Sequence, residues 1–490
     1  MRLSKLVAGI KGQIVYDGDW EREIVALSTY SKDKTVSSLF VCLRGQKDGN
    51  DYAEEAVKNG AVAIVTEKKL AVSVPQILVE DAREALALLS GVFYGEPSRS
   101  LQVIGITGTN GKTTTSYMLS SILAMAGKRV GVIGTLGVRY AGREYPCDLT
   151  TPDPVFLQKT LRDMVDCGIE YVVMEVSAHA LYYKKVAGVL FCACIASNVT
   201  QDHLDFFADM NAYAKAKSSL FSCAVCPLAI LNIDDEYVRK WINEREKQGG
   251  KTITYGLHNP ADAFAVVLEE NLQGVQCVCN VLDEMVGINL SFVGEYNVYN
   301  ALSAVACAIS LGIDGESIRQ AFDSLKGVNG RLQRVASWNG GEVFVDFAHT
   351  PDGLKQSLTA LKKHCTGRLV CVFGCGGNRD KSKRPIMGET VAKLADFAVI
   401  TADNPRFEDP LDIIADIERG YRKQSKKYVV IPKRELAIEY AMEHLERGDI
   451  LLVAGKGGEK AQEIMGIKYP FEDNAIIERF VVQRTAKQFL

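Results

Sequence analysis

Thr107-Gly108-Thr109-Asn110-Gly111-Lys112-Thr113-Thr114 sits between an apolar run, VIGI, and a helix-forming segment, TSYMLSSILAMAG. Strand, glycine-rich turn and helix, in that order, make a phosphate-binding device. Glycines let backbone N–H groups come close to phosphate oxygens, and the helix N-terminus adds partial positive charge. Lys112 can reach the outer phosphates, and Thr113 offers a hydroxyl to Mg²⁺. Loops of this kind usually carry a glycine five positions before Gly111, where Ile106 stands, so this is a shortened form. A plain glycine-rich turn is the competing reading, and the strand–loop–helix context disfavours it.

Other apolar runs also end in polar or glycine-rich residues: MEVSAH, SNVTQDH, VDFAHT, FGCGGNRD, ITADNPR and VAGKGGE. In open α/β sheets, ligands bind beyond the carboxyl ends of the strands. Glu175 and His203 fall at or just past such ends. A carboxylate and an imidazole suit Mg²⁺ bridged to phosphate, although a turn-like stretch around Asp202 and His203 is also a helix-capping signal. Asn297 and Asn300, in G-x-x-N-x-x-N, share one helix face, and their amides could read a base edge. A cap would explain Asn297 but not Asn300. Lys217, in YAKAKSSLF, reads by itself as a solvated helix lysine. Asp403-Asn404-Pro405 reads as a turn.

The elements that must position these residues alternate between β-rich runs and helical segments, which predicts α/β layers with parallel sheets. LFVCL (39–43), AVAIVTE (61–67) and QILVED (76–81) form a first group around a helix in DYAEEAVKNG. A second group opens at LQVIGITG (101–108) and closes with helices over 297–312 and near 315–325. A third, after Gly330, carries EVFVDFAH, RLVCVFGCG, FAVITADN, YVVIP and DILLVAGKG. With 490 residues, one core is too few, and three domains are expected: 1–98, 99–330 and 331–490.

Composition bounds the partners. Lys plus Arg total 57 and Asp plus Glu 60, for a net charge of −3, so no basic excess points to nucleic acid. The N-terminus does not read as a signal peptide, and no apolar stretch is long enough to span a membrane. The 13 cysteines fall mostly in apolar runs, as free thiols of a reducing cytoplasm would. Cys223 and Cys226 lack a second pair at zinc spacing, so they read as structural.

Taken in order, TGTNGKTTT, TTP (150–152), MEVSAHAL, NVTQDHLD, YAKAKSSLF, GEYNVYNALSA, GR (330–331), VDFAHTPD, GCGGNRDKSKRP, DNPR (403–406) and GKGGE resemble the Mur ligases over nearly the whole chain. The resemblance implies an N-terminal UDP-binding domain, a central P-loop ATPase domain and a C-terminal Rossmann-like domain. It also implies ATP-dependent amide ligation in peptidoglycan precursor synthesis. The branch it points to adds meso-diaminopimelate to UDP-N-acetylmuramoyl-L-alanyl-D-glutamate. ATP would be held by Gly108 to Thr114, Asn297, Asn300, Arg331 and Asp346. Two Mg²⁺ ions would be bound by Thr113, Glu175, His203 and Lys217, the last as a carbamate. Lys112, Glu175, His203, Lys217 and Arg331 would be the catalytic set.

The resemblance divides substrate recognition in two. Thr29, Ser31, Gln46, Lys47, Thr150, Thr151, Ser177 and Lys185 map onto contacts to the UDP-linked substrate. Arg379, Asp403, Asn404, Pro405, Arg406, Gly455 and Glu459 map onto the diaminopimelate pocket. There Arg406 would clamp the distal carboxylate and Glu459 the distal ammonium. The chain departs from the family pattern at Tyr30, Lys32, Leu149, Lys185, Gln333, Phe347 and Gly458, the last in place of a histidine. The implied protein is cytoplasmic and monomeric. A folylpolyglutamate synthetase shares the loop, but the segment before Thr107 and the DNPR sequence argue against it. A lysine-adding sister ligase and a non-catalytic ATP-binding sensor of the precursor are the remaining alternatives.

Overall fold

The computed structural model describes residues 1–10, 12–14, 19–45 and 47–488. Gln46, expected to contact the UDP-linked substrate, lies outside the described residues. The chain forms two compact units, each assembled from separated stretches. One takes Met1–Thr107, Lys128–Cys194 and Ala216–Leu228, and the other Gly108–Gly127, Ile195–Lys215 and Ala229–Leu490.

The first unit opens with a five-stranded sheet. Ala26–Ser28, Ser38–Val41, Ala61–Thr66 and Gln76–Leu78 run parallel, and Gln13–Ile14 pairs antiparallel at the edge. Strand alternation sorts the side chains onto two cores. Leu39, Val41, Ala63 and Val65 pack with Leu86 and Leu89 of the helix Ala82–Phe93. Phe40, Cys42 and Ile64 pack with Ala53 and Ala56 on the other side. Both faces are covered, which is why these strands read as continuous apolar runs. Asp81 starts the helix Ala82–Phe93 by accepting the N–H groups of Arg83 and Glu84.

The same unit contains the parallel strands Gln102–Thr107, Tyr171–Glu175 and Val130–Gly134, in that spatial order, extended by the antiparallel strands Gly137–Tyr140 and Arg143–Tyr145. The register sets Glu175 beside Ile106, so the carboxyl ends of the strands finish together.

The second unit contains a six-stranded sheet in the order Gln333–Trp338, Gly341–Asp346, Ile450–Ala454, Leu369–Phe373, Phe397–Ile400, Tyr428–Val430. Only the first strand is antiparallel. Its carboxyl ends deliver the FAHTPD, GKGG, GCGGNRD and ADNPR segments to one edge. The helix expected over 297–312 spans Glu295–Ser310, and the next spans Gly315–Ser324. Antiparallel features without a counterpart in the sequence include the strands Gly137–Tyr140 and Arg143–Tyr145, the meander Ala263–Asn271, Gly274–Val281, Glu284–Leu290, and the hairpin Ala461–Ile464, Ile467–Pro470. No helix among the described residues is long and apolar enough to cross a membrane, and all 13 cysteines are free thiols, Cys223 and Cys226 included.

Candidate active site

The phosphate loop is built on close approach. Gly111 has φ +91° and directly precedes the helix Lys112–Met125. A Cβ there would lie 2.3 Å from Asn300 Oδ1, so only glycine lets the loop lie on that helix face. Asn110 is pinned on three sides. Its N–H donates to Asn198 Oδ1 at 2.9 Å, its carbonyl accepts from Ser197 Oγ at 2.6 Å, and its Nδ2 donates to Asp352 Oδ2 at 3.0 Å. Lys112 Nζ donates to the loop's own carbonyls at Gly108 and Thr109, at 2.8 and 3.0 Å. That holds the ammonium over the space the loop encloses.

Arg331 reaches this loop, donating from Nη2 to Thr113 Oγ1 at 3.0 Å, with its guanidinium stacked 4.2 Å from the Phe347 ring centroid. Phenylalanine supplies that face as well as tyrosine would. Asp346 fixes the backbone after Arg331. It accepts from Leu332 N at 2.6 Å, Ala348 N at 3.1 Å and Ser357 Oγ at 2.8 Å. Burial raises the Asp346 carboxyl above its ordinary range against these bonds. Gln333 caps Gly330 N at 2.9 Å, which gives that departure from the family pattern a structural role. Asn297 and Asn300 are both buried. Asn300 Nδ2 donates to Asn297 Oδ1 at 3.1 Å, and Asn297 Nδ2 donates to Val293 O at 2.9 Å.

His203 has φ +57° and stands 3.4 Å from Asp202 Oδ2. Burial works to raise the Asp202 carboxyl, but the positive charges of His203, Lys383 and His349 outweigh it and hold it well below the usual range. Lys383, also buried, comes within 3.5 Å of Asp202 Oδ1.

In the first unit, Glu175 is buried and organises a cluster of hydroxyls. Its carboxylate accepts from Thr135 N and from Thr135 Oγ1, both at 3.0 Å, and Thr135 Oγ1 lies 3.1 Å from Thr150 Oγ1. Thr151 Oγ1 donates to the Glu175 carbonyl at 2.9 Å and accepts from Ser177 N at 3.0 Å. Ser177 caps the short helix Ala178–Tyr182. Lys185 pairs with Asp153 at 2.7 Å. Lys217 is buried rather than solvated. Farther along the same unit, Ser31 donates to Glu55 Oε2 at 2.5 Å, Thr29 is exposed, and Lys47 stands 5.9 Å from the Tyr52 ring centroid.

Three loops of the second unit are stitched together. Gly377 N donates to Asn404 O at 2.9 Å, and Phe407 N to Asn378 Oδ1 at 3.0 Å. A Cβ on Gly376 would come within 3.0 Å of Arg406 Nη1 and 3.8 Å of Arg379 Cγ, so both arginines border that glycine. Lys456 is completely buried. Its Nζ donates to Asn404 Oδ1 at 2.9 Å, Glu459 Oε2 at 2.8 Å and Ala461 O at 2.8 Å. Asn404 Nδ2 then donates to the same Glu459 oxygen at 2.9 Å. Beneath lies Asp403, whose carboxyl burial tends to raise but Lys456 and Arg434 hold low. Arg434 in turn makes two bonds to buried Asp473, at 2.8 and 2.7 Å. Gly455 approaches Asp403 so closely that a Cβ would lie 2.5 Å from Oδ2.

Residues 106–308 match the family described as Mur ligase middle domain, and residues 330–457 match Mur ligase, glutamate ligase domain. A relative from Caldanaerobacter subterraneus subsp. tengcongensis, a UDP-N-acetylmuramoyl-L-alanyl-D-glutamate–2,6-diaminopimelate ligase, is 42% identical over 99% of both chains. The chain belongs to the Mur ligase family. A ligase of the same name from Geobacillus thermodenitrificans is 39% identical over 99% of this chain and 100% of its own. A solved structure with that title superposes with a TM-score of 0.71, at 30% identity and 99% coverage of each chain.

The two Mur ligase matches take in every residue singled out from the phosphate loop to Gly455, while Glu459 and the hairpin 461–470 lie beyond them. The sequence reading missed Thr135, Asp352, Lys383, Lys456 and Glu463. Lys456 follows a strand end in a glycine-rich turn, which was signal enough; Glu463 carried none.

Gly134 tests the Glu175 cluster. A Cβ there would sit 2.1 Å from Glu175 Oε1. Gly134→Ala is expected to displace the carboxylate and to cut ligase kcat about 10²-fold, the scale of a ~1 Å misplacement, with the melting transition still cooperative by circular dichroism. Unchanged kcat would exclude Glu175 from the reacting centre.

Proposed function

We propose that this chain is an ATP-dependent ligase that joins the D-glutamyl γ-carboxylate of UDP-N-acetylmuramoyl-L-alanyl-D-glutamate to an amine of meso-diaminopimelate. The observation that carries the acceptor assignment is the pocket wall itself. It holds a cation, Arg406, and a carboxylate, Glu459, on two loops joined through Lys456 and Asn404. An amino acid bearing both an extra ammonium and an extra carboxylate needs that pair. Full-length identity to ligases of this name supports the rest.

The γ-carboxylate oxygen attacks the γ-phosphorus of ATP, and ADP leaves. The acceptor amine attacks the acyl carbon, loses a proton and expels phosphate, which carries away the former carboxylate oxygen. Lys112 and the loop N–H groups hold the outer phosphates, and Arg331 supplies positive charge beside Thr113. The work is positioning and neutralisation of developing charge. Gly108, Thr109, Asn110, Gly111, Thr114, Asn297, Asn300 and Asp346 complete the ATP site, the asparagines holding the loop and Asp346 the Arg331 turn. Thr29, Ser31, Lys47, Thr150, Thr151, Ser177 and Lys185 take the UDP-linked substrate.

The oxygens of a hydroxyl, a carboxylate and a carbamate fit Mg²⁺, with an imidazole beside them. Thr113, Glu175, His203 and carbamylated Lys217 would hold it. Bound there, it supplies neutralisation of phosphate charge. Segments 1–98, 99–330 and 331–490 are read as three domains of a cytoplasmic monomer.

ADP release is the test, with Mg²⁺, ATP and the UDP-linked dipeptide, offering meso-diaminopimelate or L-lysine. Release with diaminopimelate, and its loss in Lys112→Ala, is expected. Release with lysine alone would replace the acceptor, and none with either would leave an ATP-binding sensor. For Lys217, removal of bicarbonate and CO₂ should lower activity, and the mass of the Lys217 peptide should report loss of the carbamate. Full activity with an unmodified lysine would exclude it.

A further inference from the structure

Arg406, the expected clamp for a distal carboxylate, already has one. Its Nε donates to Glu463 Oε2 at 3.0 Å, and its Nη1 donates to Gly377 O at 2.8 Å. Nη2 has no hydrogen-bond partner among the described residues. The two side chains are 21% and 30% exposed, so the pair faces solvent and a ligand can reach it.

We infer that Glu463 is a specificity-determining residue that competes with the acceptor's distal carboxylate for Arg406. The inference rests on the acceptor pocket proposed above. A guanidinium binds a carboxylate best through two parallel N–H donors. With Nε on Glu463 and Nη1 on a carbonyl, an incoming carboxylate finds one uncommitted nitrogen and a like charge beside it.

Glu463 is not needed to hold Arg406 in place. Arg406 N donates to Glu463 O at 3.1 Å and Met465 N donates to Arg406 O at 2.7 Å, so the backbone is zipped to the hairpin without either side chain. Gly377 O anchors the guanidinium independently. The ammonium end meets Glu463 only through its backbone N–H, which donates to Asn404 Oδ1 at 3.0 Å, while Lys456 holds Asn404 and Glu459. A diamino acid lacking the second carboxylate meets a guanidinium whose charge is already matched. One that carries it must displace Glu463 or share Arg406 with it. Glu463 therefore weakens selection for the second carboxylate.

Glu463→Gln removes the charge and keeps the shape. A part-exposed ion pair is worth up to about a five-fold change in affinity. The KM for meso-diaminopimelate should fall by up to that factor, with kcat unchanged and the kinetics with L-lysine unmoved. An unchanged or higher KM for diaminopimelate in an enzyme whose wild type ligates it would overturn this inference alone, making Glu463 a support. If the wild type ligates lysine only, or neither, the acceptor reading fails and takes this inference with it.

Discussion

One backbone contact couples the two halves of the chemistry in the second unit: Gly330 lies directly on Gly457 and Gly458. A Cβ on Gly330 would be 2.0 Å from Gly458 N and 2.5 Å from Gly457 Cα. No side chain fits between them, and Gly330 takes φ +64°, a conformation that glycine adopts without strain. On one side of the contact, Arg331 turns toward the phosphate loop. On the other, buried Lys456 holds Glu459 and Asn404. At Gly458 a Cβ would come within 2.9 Å of Asn329 Nδ2. The turn is packed closely at this position too.

Bringing charge to strand ends carries a physical cost, because an unpaired buried charge is destabilising by several kcal/mol. The second unit meets it by pairing opposite charges. Lys456 has three acceptors, Arg434 is paired with Asp473, and Asp403 lies among the cations of both. The result is a rigid floor that fixes the amide orientation of Asn404: Oδ1 receives Lys456 Nζ and Glu463 N, leaving Nδ2 for Glu459. Arg406 and Glu459, which stand over that floor, stay partly exposed and available to a ligand.

The parts of this arrangement most legible in the amino-acid sequence are the ones whose physics is local. The phosphate loop needs contiguous glycines, lysine and threonine, and it stands out for that reason. The strands Ala61–Thr66, apolar up to its last residue, and Leu369–Phe373 read as apolar runs because both faces are covered. The helix Glu295–Ser310 began two residues earlier than its pattern indicated. What escaped the sequence is non-local. Glu463 meets Arg406 across 57 positions, and nothing in its local sequence marks it. Asn297 and Asn300 shared a helix face as their spacing required, but spacing alone did not reveal that the face lies against Gly111. Lys217 looked solvated by its neighbours and is buried by the fold. Arg434 and Lys456, which lie beneath the DNPR turn, come from separate segments that only the sheet gathers.

The central claim is that the substrate carboxylate is activated by transfer of phosphate from ATP. Isotope tracing tests it most directly. With ¹⁸O in the γ-carboxylate of the UDP-linked dipeptide, and the full reaction run with ATP and meso-diaminopimelate, mass spectrometry of the released phosphate should find one ¹⁸O atom per phosphate. Phosphate free of the label, formed alongside amide product, would contradict the acylphosphate route and with it the roles given to Lys112 and Arg331.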